Sequence, residues 1–498
     1  MRARKSLLLL VTNLTRSGLG LISMLVVARL MGPVALGTIT YLFGLVGLLA
    51  IVSDLGFSVA HLKRASEPGA DLGTCVGTFL SVKAILSLVL LLIILLAPPI
   101  SGALGHPLLS GSIQTTAYYL IALTPLLNNF SQVVLFTFEA RQEAARGSVA
   151  ALLGGVVTAT ARIIVAVFGL GVVALSLAYS LEAVAVFIAA LALYRGYPVS
   201  RPRREHLTSY TQYALPVLLA SVLGTATLNV NPVLIEKLWD TVEVGYYGSV
   251  LGVANLIGRL SSAAMVIFFP QASEDIALGQ LDEVRRRLLV VERHLLNLTV
   301  PLAVLIACFS PEIITWLLRP DFLPAAPVLA ILAIDTVVTV FFQPYSMVIY
   351  AVEKHRYLVI SALIQLATLV GMGLLLIPRG LGGLGAAGAA MAMLVADLVS
   401  GLYQVHLSAK FAQIGTYPKW FAYAIAGAAS YTVLWVLGSF ARPLGLIKIT
   451  LLVPIGVGVC LVCLALFGQF HWDDLRLYLD LVSPAKMWQY VRKELARE

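Results

Sequence analysis

The residues of this sequence best suited to chemistry are charged side chains that interrupt apolar segments. In SVLGVANLIGRLSSAAMVIFFP, residues 249–270, Arg259 is the only charged residue. It belongs to a stripe in which Gly252, Asn255, Arg259 and Ser262 are spaced by three or four residues and so share one helical face. A guanidinium stays charged, and its planar fork matches phosphate oxygens. The stripe therefore predicts an anion-binding face.

A second polar stripe, near the start of the chain, contains Asn13 and Arg16. Arg16 and Arg259 each lie roughly ten or more residues from either end of an apolar segment, which at ~1.5 Å per residue is near the bilayer midplane. A charge at that depth costs about 2.5–3.5 kcal/mol, so it must face a bundle interior or a water-filled cavity. We predict that Arg16 and Arg259, with Asn13 and Asn255 beside them, bind an anionic substrate in a central cationic cavity.

Other interpretations of these cations are open. Each arginine could instead bond to backbone carbonyls or to an acid on another helix, Asp335 or Glu182. Lys83 and Arg162 also lie within apolar segments and are candidates for the same cavity. Both are nearer to a segment end, so their long side chains could equally reach the membrane surface.

Three acids within apolar segments are candidates for ion coupling. Asp335 begins a stripe with Thr339 and Gln343, and Glu182 and Asp397 lie near the middle of their segments. A buried carboxyl group can carry a proton or a cation such as sodium. Each acid could instead pair with a cavity arginine or a neighbouring hydroxyl group.

The composition places these residues in a membrane. Of the 498 residues, 59% are hydrophobic and only 12% are charged, whereas soluble domains average about a quarter charged residues. A spanning helix needs roughly 20 apolar residues. By that criterion fourteen spans are predicted, at about 7–30, 39–60, 74–97, 113–138, 147–168, 172–194, 212–235, 244–270, 290–317, 325–350, 357–377, 384–407, 419–439 and 446–468.

The basic residues orient the chain. With an even number of spans both termini lie on one side, and 23 of the 34 Lys and Arg residues lie on that side against six opposite. Because short loops rich in Lys and Arg stay in the cytoplasm, both termini are predicted to be cytoplasmic, in the inner membrane. The net charge of +9 thus reflects orientation and contact with membrane lipids, and no nucleic-acid partner is expected.

No motif indicates a cofactor, a metal site or an enzyme. Cys460 and Cys463 form a C-x-x-C inside an apolar run and are interpreted as small helix residues. GLGGLG at 380–385 matches G-x-G-x-x-G but lies between two spans rather than in a βαβ unit.

The two halves of the chain repeat each other. At an offset of 208, Arg29 falls on Lys237 and Gly37 on Gly245, and further segments match at offsets of 207 and 211. Each copy has six spans, an even number, so the copies are parallel, as in transporters whose two bundles rock about a site between them. We predict an all-α integral membrane fold of two six-helix lobes, related by a pseudo-two-fold axis along the membrane normal, plus two C-terminal helices. The predicted boundaries are 1–200 and 212–410 for the lobes, 201–211 for a basic cytoplasmic linker, 411–470 for the extra spans and 471–498 for an interfacial tail.

Segments in both halves resemble one family, the polysaccharide transporters and O-antigen flippases. The first half is similar to its N-terminal signature in ARLMGPVALGTITYL (28–42), SDLGFSVAHLKRASE (53–67) and FEARQEAAR (138–146). The second half resembles its C-terminal lobe in YALPVLLASVLGTA (213–226), VGYYGSV (244–250) and FFPQASE (268–274). The family belongs to the MATE/MOP flippase superfamily, usually has fourteen spans, and the likeness covers roughly residues 5–410. One departure is Asn231-Pro232, where many relatives carry an acidic–basic pair, so no role of that pair is transferred.

The resemblance implies a flippase that moves a polyprenyl-(pyro)phosphate-linked oligosaccharide from the cytoplasmic to the outer leaflet by alternating access. Its expected partners are that substrate, membrane lipids, a coupling proton or sodium ion, and glycosyltransferases or a polymerase. The alternative is a lipid II flippase or a drug/cation antiporter, although a cation carrier would need an acidic cavity. A membrane glycosyltransferase or polymerase is disfavoured because such enzymes need a long outward loop, and every predicted outward loop is short.

Overall fold

The structure is a computed structural model that describes residues 2–415, 420–441, 446–471 and 474. Within these ranges, nothing is described of the side chains of residues 2–11, 14, 144, 216, 255–257, 259–260, 262–263, 266–267, 441 and 446–448. The described chain is almost entirely α-helical and contains no strand, so the predicted all-α membrane fold is confirmed. The predicted tail at 471–498 lies outside the described residues except for His471 and Asp474.

Contacts between helices divide the chain into two compact units, with the boundary between Gly245 and Tyr246. The first unit contains α1 (Arg2–Leu49), α2 (Phe57–Ser66), α3 (Leu72–Ala103), α4 (Gly111–Ala140), α5 (Ala144–Val167), α6 (Gly171–Leu193), α7 (Arg204–Leu238) and the start of α8 (Thr241–Ala277). The second contains the rest of α8, α9 (Leu281–Cys308), α10 (Ser310–Leu317), α11 (Ala326–Ala351), α12 (His355–Leu376), α13 (Gly385–Ala412), α14 (Trp420–Ala441) and α15 (Leu446–Leu466). α7 begins inside the segment predicted as a linker, and the boundaries derived from the repeat stay a prediction.

Twelve helical segments of the described chain are long and apolar enough to cross a membrane. One of them, Thr15–Ser53, has 39 residues. At 1.5 Å per residue it is about 58 Å long, nearly twice the ~30 Å hydrocarbon core of a bilayer. It covers most of predicted spans 1 and 2 and breaks at Gly32, whose φ is 80°. α8, which carries predicted span 8, is not counted among the twelve, and the number fourteen stays a prediction.

Predicted span 2 is interrupted rather than continuous. α1 ends at Leu49, a 3-10 turn follows at Ala50–Ser53, and Leu55 and Gly56 have positive φ angles of 49° and 85° before α2 begins. Glycine is needed at position 56 for two reasons. Its φ is positive, and a Cβ there would lie 2.9 Å from the carbonyl oxygen of Ala214 on α7. Hydropathy averaged over a long window does not locate such a break, although Ser53 and Asp54 lie within it.

The repeat is visible in a close contact within the first unit. A Cβ on Gly37 would overlap the carbonyl oxygen of Thr241, and a Cβ on Gly245 would overlap that of Pro33. Gly37 and Gly245 are equivalent at an offset of 208, and so are Pro33 and Thr241. The contact of Gly37 with Thr241 is therefore equivalent to the contact of Gly245 with Pro33, as expected for equivalent segments related by a two-fold axis.

The chain that follows α6 is docked on α3. The backbone N–H of Ser200 donates to the carbonyl of Gly73 at 3.0 Å, and a Cβ on Gly77 would overlap the carbonyl oxygen of Ser200. Gly73 and Gly77 form a G-x-x-x-G groove, which allows close approach of another backbone. The segment that leads into α7 is thus held against the first unit.

Candidate anion-binding and ion-coupling sites

Three helices of the first unit bring two arginines to one carboxylate. Nη2 of Arg16 on α1 donates to Oε1 of Glu182 on α6 at 3.0 Å. Nη2 of Arg162 on α5 lies 3.9 Å from Oε2 of the same carboxylate. α1 packs along α5, and α5 packs along α6, so the three side chains converge between these helices. Two formal positive charges therefore face a single negative charge, and we call this group the arginine cluster.

Aromatic rings hold Arg162 in place. Its guanidinium carbon lies 3.6 Å from the centroid of the Tyr179 ring, a cation–π contact of about 0.5–2 kcal/mol depending on solvation. Phe43 on α1 contacts the same ring edge-on, with centroids 5.0 Å apart. The side chain of Arg162 is 11% exposed, whereas those of Arg16 and Glu182 are 38% and 29% exposed. Arg162 is therefore fixed, and the Arg16–Glu182 pair is the accessible part of the cluster.

Two adjacent glycines on α5 make room for this pair. A Cβ on Gly155 would lie 3.1 Å from Cγ of Arg16, and a Cβ on Gly154 would lie 3.3 Å from the carbonyl oxygen of Glu182. A larger residue at either position would crowd the pair or the helix that carries it. Sequence reasoning missed these positions, although the Gly-Gly pair inside an apolar segment is a signal of close helix packing.

Of the interpretations left open for Arg16, the structure shows the pairing with an acid on another helix, because Glu182 lies at salt-bridge distance. Glu182, predicted as an ion-coupling residue, contacts both arginines. The cluster still carries one surplus positive charge, and Nε of Arg16 and Nε of Arg162 have no hydrogen-bond partner within the described part of the chain. The surplus charge suits the cluster to binding a further anion. Substrate binding by these arginines stays a prediction.

The remaining residues of the predicted anion-binding stripes are only partly described. Asn13 is exposed on α1, and the side chains of Asn255 and Arg259 lie outside the described residues. Next to Arg259, the backbone of α8 packs against α11, since a Cβ on Gly258 would lie 3.7 Å from the methyl group of Thr336. Substrate binding by Asn13, Asn255 and Arg259 stays a prediction.

Lys83, predicted as a further cavity residue, forms a cluster of its own. Its side chain is fully buried, and Nζ donates to Oδ1 of Asp54 at 2.7 Å, to Oε1 of Gln132 at 2.8 Å and to the carbonyl of Ser53 at 3.2 Å. An ammonium group has three donors, so all of them are used. Ser53 and Asp54 lie at the break between α1 and α2, where backbone groups need partners other than a helix. Lys83 therefore supports the broken helix, and a substrate could bind it only by displacing one of these acceptors.

Two acids meet in the second unit. Asp335 on α11 lies against Asp397 on α13, close enough for the carboxyl groups to share a hydrogen bond, and each residue is only 8% exposed. Asp397 accepts hydrogen bonds from Oγ1 of Thr339 at 3.2 Å and from Nε2 of Gln365 on α12. Oδ1 of Asp335 has no donor within the described residues.

Two buried acidic side chains that lie this close are suited to hold a proton or a cation between them. The pair therefore has the chemistry expected of an ion-coupling site, and that role stays a prediction. Among the described residues, no group of three or more His, Cys, Asp or Glu side chains could hold a metal ion.

His61 on α2, outside the twelve candidate spans, is a buried titratable residue that sequence reasoning missed. Its Nδ1 and Nε2 each lie 2.9 Å from a hydroxyl oxygen, that of Tyr210 and that of Thr137. Because the Thr137 hydroxyl donates to the carbonyl of Val133 at 2.6 Å, its oxygen accepts from Nε2–H, and in the neutral ring Nδ1 accepts from the tyrosine. Burial lowers the pKa of His61 from 6.5 to about 3, so the ring is neutral at physiological pH.

Residues 26–327, more than half of the chain, match a family of polysaccharide biosynthesis proteins. The chain belongs to this family. One curated relative is the probable low-salt glycan biosynthesis flippase Agl15 of Haloferax volcanii. It is 25% identical over 333 residues, which cover 66% of this chain and 68% of the relative.

Two solved structures share the fold. The lipid II flippase MurJ, in an inward closed conformation, matches with a TM-score of 0.75 and 14% identity over 92% of this chain and 98% of its own. An inward-facing multidrug resistance transporter of the MATE family and MOP superfamily matches with a TM-score of 0.65 and 16% identity over 80% and 94% of the two chains. At these identities the likeness shows the fold alone. Together with the family match it confirms the predicted resemblance, and the protein is a multi-pass helical membrane protein.

Proposed function

We propose that the protein is a flippase that moves a polyprenyl-phosphate- or pyrophosphate-linked oligosaccharide from the cytoplasmic to the outer leaflet of the cell membrane. One observation carries this proposal: two arginines share a single carboxylate among apolar helices. The surplus charge calls for an anionic partner, and a phosphate group offers several acceptor oxygens to the guanidinium forks.

Family membership supports a role in glycan synthesis, and the relative Agl15 is named as a probable glycan biosynthesis flippase. The fold shared with a lipid II flippase supports transport of a large head group attached to a lipid. The bias of basic residues towards one side supports cytoplasmic termini.

Parallel repeats favour alternating access as the mechanism. The phosphate of the head group binds Arg16 and Arg162 from the cytoplasm, while the polyprenyl chain stays in the lipid. The Asp335–Asp397 pair couples the movement to a gradient by taking up and releasing a proton or a sodium ion.

The charge of the arginine cluster argues against the second candidate, an antiporter of cationic drugs. A cation would be repelled by the surplus positive charge, and the Glu182 carboxylate is already held by Arg16. Lipid II carries the same kind of pyrophosphate, so a lipid II flippase is distinguished by the glycan that accumulates when the protein is removed.

The test is a cell that lacks the protein, in which lipid-linked oligosaccharide should accumulate on the inner leaflet. The wild-type gene should restore export, whereas Arg16→Gln and Arg162→Gln should slow it at least about tenfold, because removing a partner from a desolvated charge contact costs about 2 kcal/mol or more. Arg64→Gln, which removes a half-buried arginine paired with Glu67 outside the candidate spans, is the matched control. Full export by both cluster variants at normal protein levels would rule the proposal out, and accumulation of lipid II would favour the alternative.

A further inference from the structure

The arginine cluster already holds an anion of its own. We propose that Glu182 is an internal competitor for the phosphate of the substrate: it occupies Arg16 until a phosphate-bearing head group binds, and it reclaims Arg16 when the head group leaves. This inference rests on the proposed function. It gives Glu182 a role in the release of the substrate, distinct from the ion coupling predicted for this residue.

The two contacts of Glu182 are unequal in a way that favours exchange at Arg16. Oε1 accepts a hydrogen bond from Arg16 at 3.0 Å, whereas Oε2 lies 3.9 Å from Arg162, beyond hydrogen-bond distance. Arg16 is also the more exposed of the two arginines, at 38% against 11%, and Arg162 is stacked on Tyr179. A partly exposed ion pair is weak, so the Arg16–Glu182 contact is the one that an incoming anion can replace.

The exchange leaves no charge without a partner. A phosphate that takes Arg16 provides at least as many acceptor oxygens as the carboxylate it displaces. The released Glu182 stays beside Arg162, whose charge it then shares with the phosphate. When the head group leaves, the carboxylate needs to move only far enough to restore its hydrogen bond to Arg16.

Such competition suits a transporter, which must release its substrate after binding it. A transport site must bind strongly enough to admit its substrate and weakly enough to release it. Glu182 lowers the affinity of the cluster for phosphate and thereby speeds release. The inference predicts that removing the negative charge of Glu182 strengthens binding of a phosphate probe, whereas loss of a merely structural ion pair would weaken binding or leave it unchanged.

The experiment measures binding of farnesyl diphosphate, a short polyprenyl diphosphate, to the purified full-length protein in detergent, with farnesol as the uncharged control. Glu182→Gln should bind farnesyl diphosphate about two- to fivefold more tightly than the wild type, the factor expected for a partly exposed ion pair. Arg16→Gln should bind it more weakly. Glu67→Gln, which removes the acid of an exposed Arg–Glu pair, should match the wild type.

The outcomes separate the two proposals. Weaker or unchanged binding by Glu182→Gln, together with weaker binding by Arg16→Gln, overturns the internal competitor and keeps the proposed function. Equal binding of farnesyl diphosphate and farnesol, or binding that is insensitive to Arg16→Gln, overturns the proposed function itself. If Glu182→Gln does not fold, Glu182→Asp is measured instead. Its shorter side chain weakens the contact to Arg16, so tighter binding supports the competitor and unchanged or weaker binding overturns it.

Discussion

For a single buried charge, the partners that it contacts matter more than its depth in an apolar segment. Lys83 and Arg16 both interrupt apolar sequence, but all three donors of Lys83 are used by neighbours, whereas Arg16 shares its carboxylate with Arg162. Sequence reasoning locates such charges because they stand out among apolar residues. It cannot decide which of these charges have partners, because the partners are distant in sequence: Asp54 is 29 positions from Lys83, and Glu182 is 166 positions from Arg16.

Lys83→Met tests the supporting role of this lysine. The substitution removes the cation from Asp54 and the donor from the Ser53 carbonyl, so we expect the free energy of unfolding in detergent to fall by about 3 kcal/mol, as when one partner of a buried pair is lost. The double variant Lys83→Met with Asp54→Asn should lose less, because the unpaired carboxylate is gone. Lys63→Met, at an exposed position on α2 where the ammonium lies 4.5 Å from the centroid of the Tyr213 ring, is the control and should change stability by about 1 kcal/mol or less. A loss no larger than that of the control would contradict the role.

His61 predicts a specific dependence of stability on pH. The unfolded histidine takes up a proton below its ordinary pKa of 6.5, while the folded ring, with a pKa of about 3, does not. Stability should therefore fall as the pH drops from 6.5 towards 3, with a contribution from His61 of up to about 1.4 kcal/mol per pH unit. Unfolding of the wild type and of His61→Gln between pH 7 and pH 4 should give a shallower slope for the variant, and parallel curves would show that His61 is not neutral in the folded state.

At the scale of elements, the apolar segments predicted where the helices lie but not where they break. The breaks depend on backbone angles, such as the positive φ of Gly32 and Gly56, which hydropathy does not record. Predicted span 9 shows the same limit. It was placed at 290–317, but α9 ends at Cys308 and a separate helix begins at Ser310, where Pro311 occupies the first turn and favours a new helix start.

The groove on α3 is tested by Gly77→Ala. A Cβ there would overlap the Ser200 carbonyl, so the segment that leads into α7 must shift, and such overpacking costs about 1–3 kcal/mol. Limited trypsin digestion should then cut after Arg203 faster than in the wild type, since the Arg201–Pro202 bond resists trypsin. Gly147→Ala on α5, where a Cβ would meet nothing within 4 Å, is the control. Equal digestion of the two variants would show that the segment is not held in this groove.

At the scale of the whole molecule, the two candidate sites lie in different units. The first unit holds the arginine cluster, and the second holds the Asp335–Asp397 pair. The repeat and the family resemblance predicted the fold. Neither the repeat nor the resemblance could predict that Asp335 lies beside Asp397, because contacts between side chains depend on how each helix is rotated against its neighbours.

Asp335→Asn and Asp397→Asn test the coupling role of this pair. Each change keeps the size of the side chain but removes a carboxyl group that could exchange a proton or a sodium ion. We expect transport by either variant to stop responding to imposed proton or sodium gradients, while binding of farnesyl diphosphate to the purified protein is unchanged. Asp321→Asn, at an exposed acid beside Arg319, is the control. Gradient-driven transport at the wild-type rate in both variants would exclude the pair from coupling.

The central claim is that the arginine cluster carries a phosphate-linked glycan across the membrane. The most direct measurement is the rate at which purified protein, reconstituted into vesicles, moves a polyprenyl-diphosphate oligosaccharide between leaflets. We predict that the double variant Arg16→Gln with Arg162→Gln moves it more than about tenfold more slowly than the wild type, because both guanidinium partners of the phosphate are lost. Equal rates for the two proteins, at equal amounts in the vesicles, would contradict the account.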